Sequence, residues 1–131
     1  MRAVALTHTE RFTFTADVPV ATAFETVERD VSYAWGTYAQ GAYFFSATAA
    51  FETFYATLTG ASPAPAVDFS QFRVVACVDD DRPTSGYDAE IVGLVNTGGT
   101  VYDVTVRLTE PDGAAAAVVT KPYHIVKVAI E

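Results

Sequence analysis

Tyr102-Asp103-Val104-Thr105-Val106-Arg107-Leu108-Thr109 is the stretch on which the fold turns. Tyr102, Val104, Val106 and Leu108 occupy alternate positions, against Asp103, Thr105, Arg107 and Thr109. Successive side chains of a strand point to opposite faces, so a period of two predicts a half-buried β-strand. Asn96-Thr97-Gly98-Gly99 precedes it and Pro111-Asp112-Gly113 follows it, both rich in the residues that tight turns require. Further out, Tyr87, Ala89 and Ile91 oppose Asp88 and Glu90, and Phe72, Val74, Ala76 and Val78 share one face. A short run from Ala114 to Thr120 and a final one from Tyr123 to Ile130 complete what reads as an antiparallel meander over 67–131.

The N-terminal half, residues 1–60, is less regular. Phe12, Phe14 and Ala16 alternate with Arg11, Thr13 and Thr15, and Phe24-Glu25-Thr26-Val27-Glu28 reads as a further short strand. Val31 to Ser46 carries Tyr33, Trp35, Tyr38, Tyr43, Phe44 and Phe45 among glycines, which suits twisted strands joined by glycine turns. One helix is predicted near residues 47–59. Phe51, Phe54, Tyr55 and Leu58 fall at i, i+3, i+4 and i+7, Ser46 or Thr48 is placed to cap its start, and Gly60 to end it. Prolines make 61–66 an extended connector. The expected class is α+β, a single domain over 1–131 of mainly antiparallel β-sheet, as a sandwich or partly open barrel, with one helix.

Composition narrows the function. With 131 residues the chain can bury about two-thirds of its unfolded surface. Sixteen acidic residues against eight basic ones, a net charge of −8, disfavour nucleic acid, because a polyanion is held by clustered Lys and Arg. No apolar run of membrane-spanning length occurs, so no membrane insertion is expected. Met1 to His8 carries one positive charge and too short an apolar stretch for a secretory signal, and His8 reads as part of a loose terminus. Cys77 alone allows neither an intramolecular disulfide nor a cysteine zinc cluster.

Catalytic material is scarce. Cys77 and His124 are the minimum for thiol catalysis, but Cys77 lies in the apolar string Val74-Val75-Ala76-Cys77-Val78, where a free cysteine behaves as a small hydrophobe. His124 alternates with Val126, Val128 and Ile130 on one face, so a structural role is expected. Asp79-Asp80-Asp81 offers the oxygens a hard cation prefers, yet three consecutive residues do not converge on one ion, and a solvated acidic turn is expected. Asp88 and Glu90 share a strand face and are read as solvated too. No catalytic site, metal or cofactor is assigned.

Three motifs in order carry a resemblance: Val67-Asp68-Phe69-Ser70 before a strand, Arg82-Pro83-Thr84-Ser85-Gly86-Tyr87 opening the next, and Lys121-Pro122-Tyr123-His124-Ile125-Val126-Lys127-Val128 at the close. The combination resembles the PrcB family of bacterial protease-complex subunits, whose C-terminal domain carries a valine-Asp-Phe-Ser start, an Arg-Pro-Thr-Gly-Gly-Tyr loop and a Pro-Tyr-His-Ile-Val-Lys strand. The helix around Phe51-Glu52-Thr53-Phe54, leading into a proline connector, is also similar. Ser85 stands where the family has Gly, which requires a negative φ there. The family is typically exported, whereas this N-terminus shows no signal. More faintly, the Pro-Thr-x-Gly-Tyr and Pro-aromatic pair resembles chagasin-like inhibitors of cysteine proteases.

The resemblance implies a non-catalytic protein-interaction domain, protease-binding or inhibitor-like, with Arg82, Pro83, Thr84, Ser85, Gly86, Tyr87, Lys121, Pro122 and Tyr123 as partner-binding residues. Pro83 fixes φ and Gly86 permits unusual geometry, so the loop is expected to be rigid; Arg and Tyr are favoured at interface hot spots. The alternative is a structural or assembly subunit of a larger particle, a neighbour or second copy pairing with the C-terminal strand as a sheet edge.

Overall fold

The computed structural model describes residues 6–33, 36–111, 113 and 115–131. Trp35 and Met1–Ala5, and with them most of the N-terminal segment read above, lie outside the described residues, as do Asp112 of the proline turn and Ala114. Seven strands and a helix follow in the order β1 (Thr7–Thr15), β2 (Val20–Ser32), β3 (Gly41–Phe45), α1 (Thr48–Thr59), β4 (Phe72–Val78), β5 (Asp88–Gly98), β6 (Val101–Thr109) and β7 (Lys121–Ile130). They form two open antiparallel sheets, ordered β1-β6-β5 and β2-β7-β4-β3. This is an α+β sandwich and not a closed barrel.

The alternating stretch behaves as its period requires: Tyr102, Val104, Val106 and Leu108 are all buried, facing the second sheet. β4 and β7 are buried on both faces, because α1 covers the side of their sheet that the first sheet does not. Val75, Cys77, Val126 and Val128 pack into the sandwich, while Val74, Ala76, Val78, Tyr123 and Ile125 pack with Phe51, Phe54, Tyr55 and Leu58 of the helix. A strand buried on two faces loses its polar positions, which explains the unbroken string Val74–Val78.

α1 spans nearly the expected range, and Gly60, at φ 72°, ends it with its N–H on the Ala56 carbonyl at 2.8 Å. Neither Ser46 nor Thr48 caps the start; the cap position is Ala47. Val67–Ser70 forms a turn into β4, where the Asp68 carboxylate accepts from the Ser70 N–H (3.0 Å) and hydroxyl (2.6 Å).

Four expectations change. Only β5 and β6 form a hairpin; β4 pairs with β3 and β7 and β6 with β1, so the meander over 67–131 is instead a chain that crosses between facing sheets. Turn residues mark a reversal whether the next strand joins the same sheet or the opposite one. The run ending at Thr120 is no strand: 115–119 stay outside the ladders and Thr120 makes one bridge, to Arg82. Alanine contributes little to a pleated surface. Phe24–Glu28 is part of a 13-residue strand whose register shifts between Val20 and Phe24 and between Thr26 and Glu28, which hid its period. His8 lies in β1, opposite Leu108.

Candidate functional site

The chain crosses between the sheets through 79–87, and the loop Arg82–Tyr87 is held from several sides. Arg82 and Thr120 exchange backbone bonds of 2.7 and 2.9 Å, the Ser85 N–H donates to the Ala116 carbonyl at 3.0 Å, and the Thr120 hydroxyl donates to the Thr84 carbonyl at 2.9 Å. The Arg82 guanidinium donates to both oxygens of Asp79, at 2.8 and 2.7 Å, and its carbon lies 5.5 Å from the Tyr87 ring centre. Ser85 meets the sign condition, since no described residue but glycine has a positive φ. Gly86 sits at φ 89°, and a Cβ there would stand 2.7 Å from the Pro111 Cβ. Pro83 and Gly86 are exposed, while Arg82, Thr84, Ser85 and Tyr87 are half-buried; Val118 and Val119 on the segment that braces the loop are also exposed.

Lys121, Pro122 and Tyr123 do not share that surface. All three are buried in β7, between β2 and β4. The Lys121 ammonium is 2% exposed and spends its three donors on the Tyr38 carbonyl (2.7 Å), the Asp79 carbonyl (3.0 Å) and the Asp81 carboxylate (3.0 Å). Lys121 and Pro122 hold the 79–81 segment that leads into the loop, the Asp79 N–H donating to the Pro122 carbonyl at 2.8 Å, while Tyr123 packs with the helix. The acidic triplet is accordingly no solvated turn: Asp79 is buried under Arg82, and Asp81 holds Lys121 and the Gly36 N–H, leaving Asp80 outside.

The Asp88 and Glu90 face, read as solvated, is partly exposed, and both carboxylates also flank Arg29 of the other sheet, with Glu90 meeting Arg107, so that β5 is tied to β2 at the sandwich rim. Cys77 and His124 are directly opposed in register, but burial pushes the thiol up to about 12. Both imidazole nitrogens are engaged elsewhere. Nδ1 accepts the Ile91 N–H of the facing sheet at 2.8 Å, so Nε2 carries the proton and donates to the Thr26 hydroxyl at 2.9 Å. Burial, and next the Arg29 charge, lower the ring's basicity and hold it neutral. Among the described residues no three His, Cys, Asp or Glu side chains are grouped to hold a metal ion.

A second concave site was not singled out in the sequence. An open groove of about 510 Å³ lies where β2 runs past the end of α1, with Glu28, Asp30, Tyr33, Tyr55 and Tyr123 among its walls. The Tyr55 hydroxyl donates to the Glu28 carboxylate, 2.9 Å from each oxygen, and the Tyr123 hydroxyl donates to the same group at 2.5 Å. Burial foremost, then the hydrogen bond to Glu28 and its charge, raise both phenols above the ordinary tyrosine value, which keeps them as donors. The sequence signal was the i, i+2, i+4 series Glu28, Asp30, Ser32 on one strand face, masked by the irregular register before it.

No curated protein and no solved structure gives a significant match to the chain. The family model PrcB C-terminal matches residues 74–129, from β4 through β7, with both the loop and the closing strand inside it. Val67–Ser70, α1 and β1–β3 fall outside that stretch. Over 74–129, the segment that carries the Arg82-Pro83-Thr84-Ser85-Gly86-Tyr87 loop and the strand Lys121–Val128, the chain is thus similar to the PrcB C-terminal family.

Proposed function

We propose that the protein is a non-catalytic interaction domain associated with a protease complex, and that it contacts its partner through the tip of the Arg82–Tyr87 loop together with Val118 and Val119. The family match supports the association with a protease complex. The observation that carries the contact assignment is the bracing of this loop from Ala116, Thr120 and Asp79 while Pro83, Gly86, Val118 and Val119 stay exposed. A loop already fixed in one conformation loses little entropy on binding. The assembly reading relied on a C-terminal strand at a sheet edge, whereas β7 lies between β2 and β4.

The test uses exposed positions, because Arg82 and Tyr123 anchor the fold. A Pro83→Glu, Val118→Glu, Val119→Glu variant is expected to keep the wild-type circular dichroism and melting temperature. It should lose the protein that wild type retains from an extract of its host, identified by mass spectrometry. Retention of every wild-type partner by the folded variant overturns the contact assignment.

A further inference from the structure

Glu28 presents a charge that its own neighbours leave unbalanced. Its two hydrogen-bond donors, Tyr55 and Tyr123, are neutral phenols, which fix the carboxylate in place and supply no countercharge. Asp30, two residues along the same strand face, adds a second carboxylate to the same groove. Among the described ion pairs, the cations Arg29, Arg73, Arg82, Arg107, Lys121 and Lys127 are all placed on other carboxylates. The Tyr33 ring, 64% exposed, stands at the rim. Aromatic walls attract a cation through their π-faces and also pack against an alkyl stem.

We propose that this groove binds a cationic group carried on an alkyl chain, an ammonium or guanidinium, with Glu28 as the fixed counterion, Asp30 as the second carboxylate and Tyr33 as the aromatic wall. The cavity of about 510 Å³ has room for such a side chain and its stem. Concave shape, convergent polar groups and oriented hydroxyls meet at one place, which a row of surface carboxylates lacks. The chain's net charge of −8 favours approach of the same class of ligand. A Lys or Arg side chain of a protein and a free organic cation share this chemistry.

The experiment is an NMR titration of the intact chain with butylammonium, with butylguanidinium, and with a short uncharged-background peptide bearing one central Arg or Lys. Saturable shifts confined to Glu28, Asp30, Tyr33, Tyr55 and Tyr123 are expected, weakening as salt is raised. In Glu28→Gln/Asp30→Asn the amide oxygen still accepts from both phenols, so the fold should hold while affinity falls about tenfold or more. Tighter binding of the peptide assigns the site to a protein side chain; equal binding by the free cations assigns it to a small organic cation. The proposal is overturned if no probe gives saturable shifts in the groove, or if the folded double variant binds as wild type does. Neither result bears on the Arg82–Tyr87 contact, which uses other residues.

Discussion

On one face of the β2-β7-β4-β3 sheet, Val75, Cys77, Val126 and Val128 lie beneath a second sheet; on the other, Val74, Ala76, Val78 and Ile125 lie beneath a single helix. The covers differ in reach. A 12-residue helix is about 18 Å long, whereas the 13-residue β2 extends to about 43 Å, so α1 cannot follow the sheet to its end. Where Gly60 stops the helix the sheet is left open, and Glu28, Asp30 and Tyr123 line the resulting groove. On the sandwich face the buried His124 is satisfied inside the protein. Full cover yields an interior, and partial cover leaves a groove.

The helix face depends on a few aromatic anchors, and that is where the comparison is broken most easily. Phe51, 1% exposed and in ring contact with Phe45, Tyr55 and Phe69, is expected to cost about 3–5 kcal/mol on Phe51→Ala, read as a lowered urea midpoint. A loss under 1 kcal/mol, roughly what a surface change costs, would show that the helix is an accessory to the sandwich. On the other face, Tyr102 of the first sheet accepts the Val20 N–H at 2.8 Å and donates to the Val20 carbonyl at 3.1 Å. Tyr102→Phe strands both groups in a buried place and should cost about 1–3 kcal/mol by the same measurement.

The crossing between the two sheets comes next. Gly86→Ala forces a side chain into a positive φ and against Pro111, and is expected to cost about 1–2 kcal/mol from the backbone alone. Partner capture should fall with it, and a variant of wild-type stability would refute the loop geometry. The smallest effect concerns His124. Its folded value is lowered, so the unfolded chain takes up the proton first; the stability it supplies is complete above pH 6.5 and is lost as pH falls from there through the lowered value. The slope is at most about 1.4 kcal/mol per pH unit for one proton. Unfolding midpoints measured across that window should slope in wild type and flatten in His124→Gln.

Much of the fold was legible. The i, i+3, i+4, i+7 series from Phe51 to Leu58 and the period of two through Leu108 are local consequences of which positions meet the core, and both appear in the structure as read. The loop motif and its Ser85 condition were readable too, because backbone sign constraints act residue by residue. Strand partnership was not. β4 carries the same alternation whether β5 pairs with it or faces it across the sandwich, and Asp79 reads as solvated until Arg82 and Gln40 close over it.

By itself, then, the sequence determined the helix and its stop at Gly60, the apolar face of β6 and the similarity of 74–129 to a family. Tertiary structure alone decided that Lys121 and Tyr123 lie inside, that Cys77 stands opposite His124 while the imidazole bonds Ile91 and Thr26, and that Glu28 meets Tyr55 and Tyr123. Periodicity reports which side of an element avoids water. It carries no information about which distant element supplies the cover, and Glu28 is separated from Tyr123 by 95 positions along the chain.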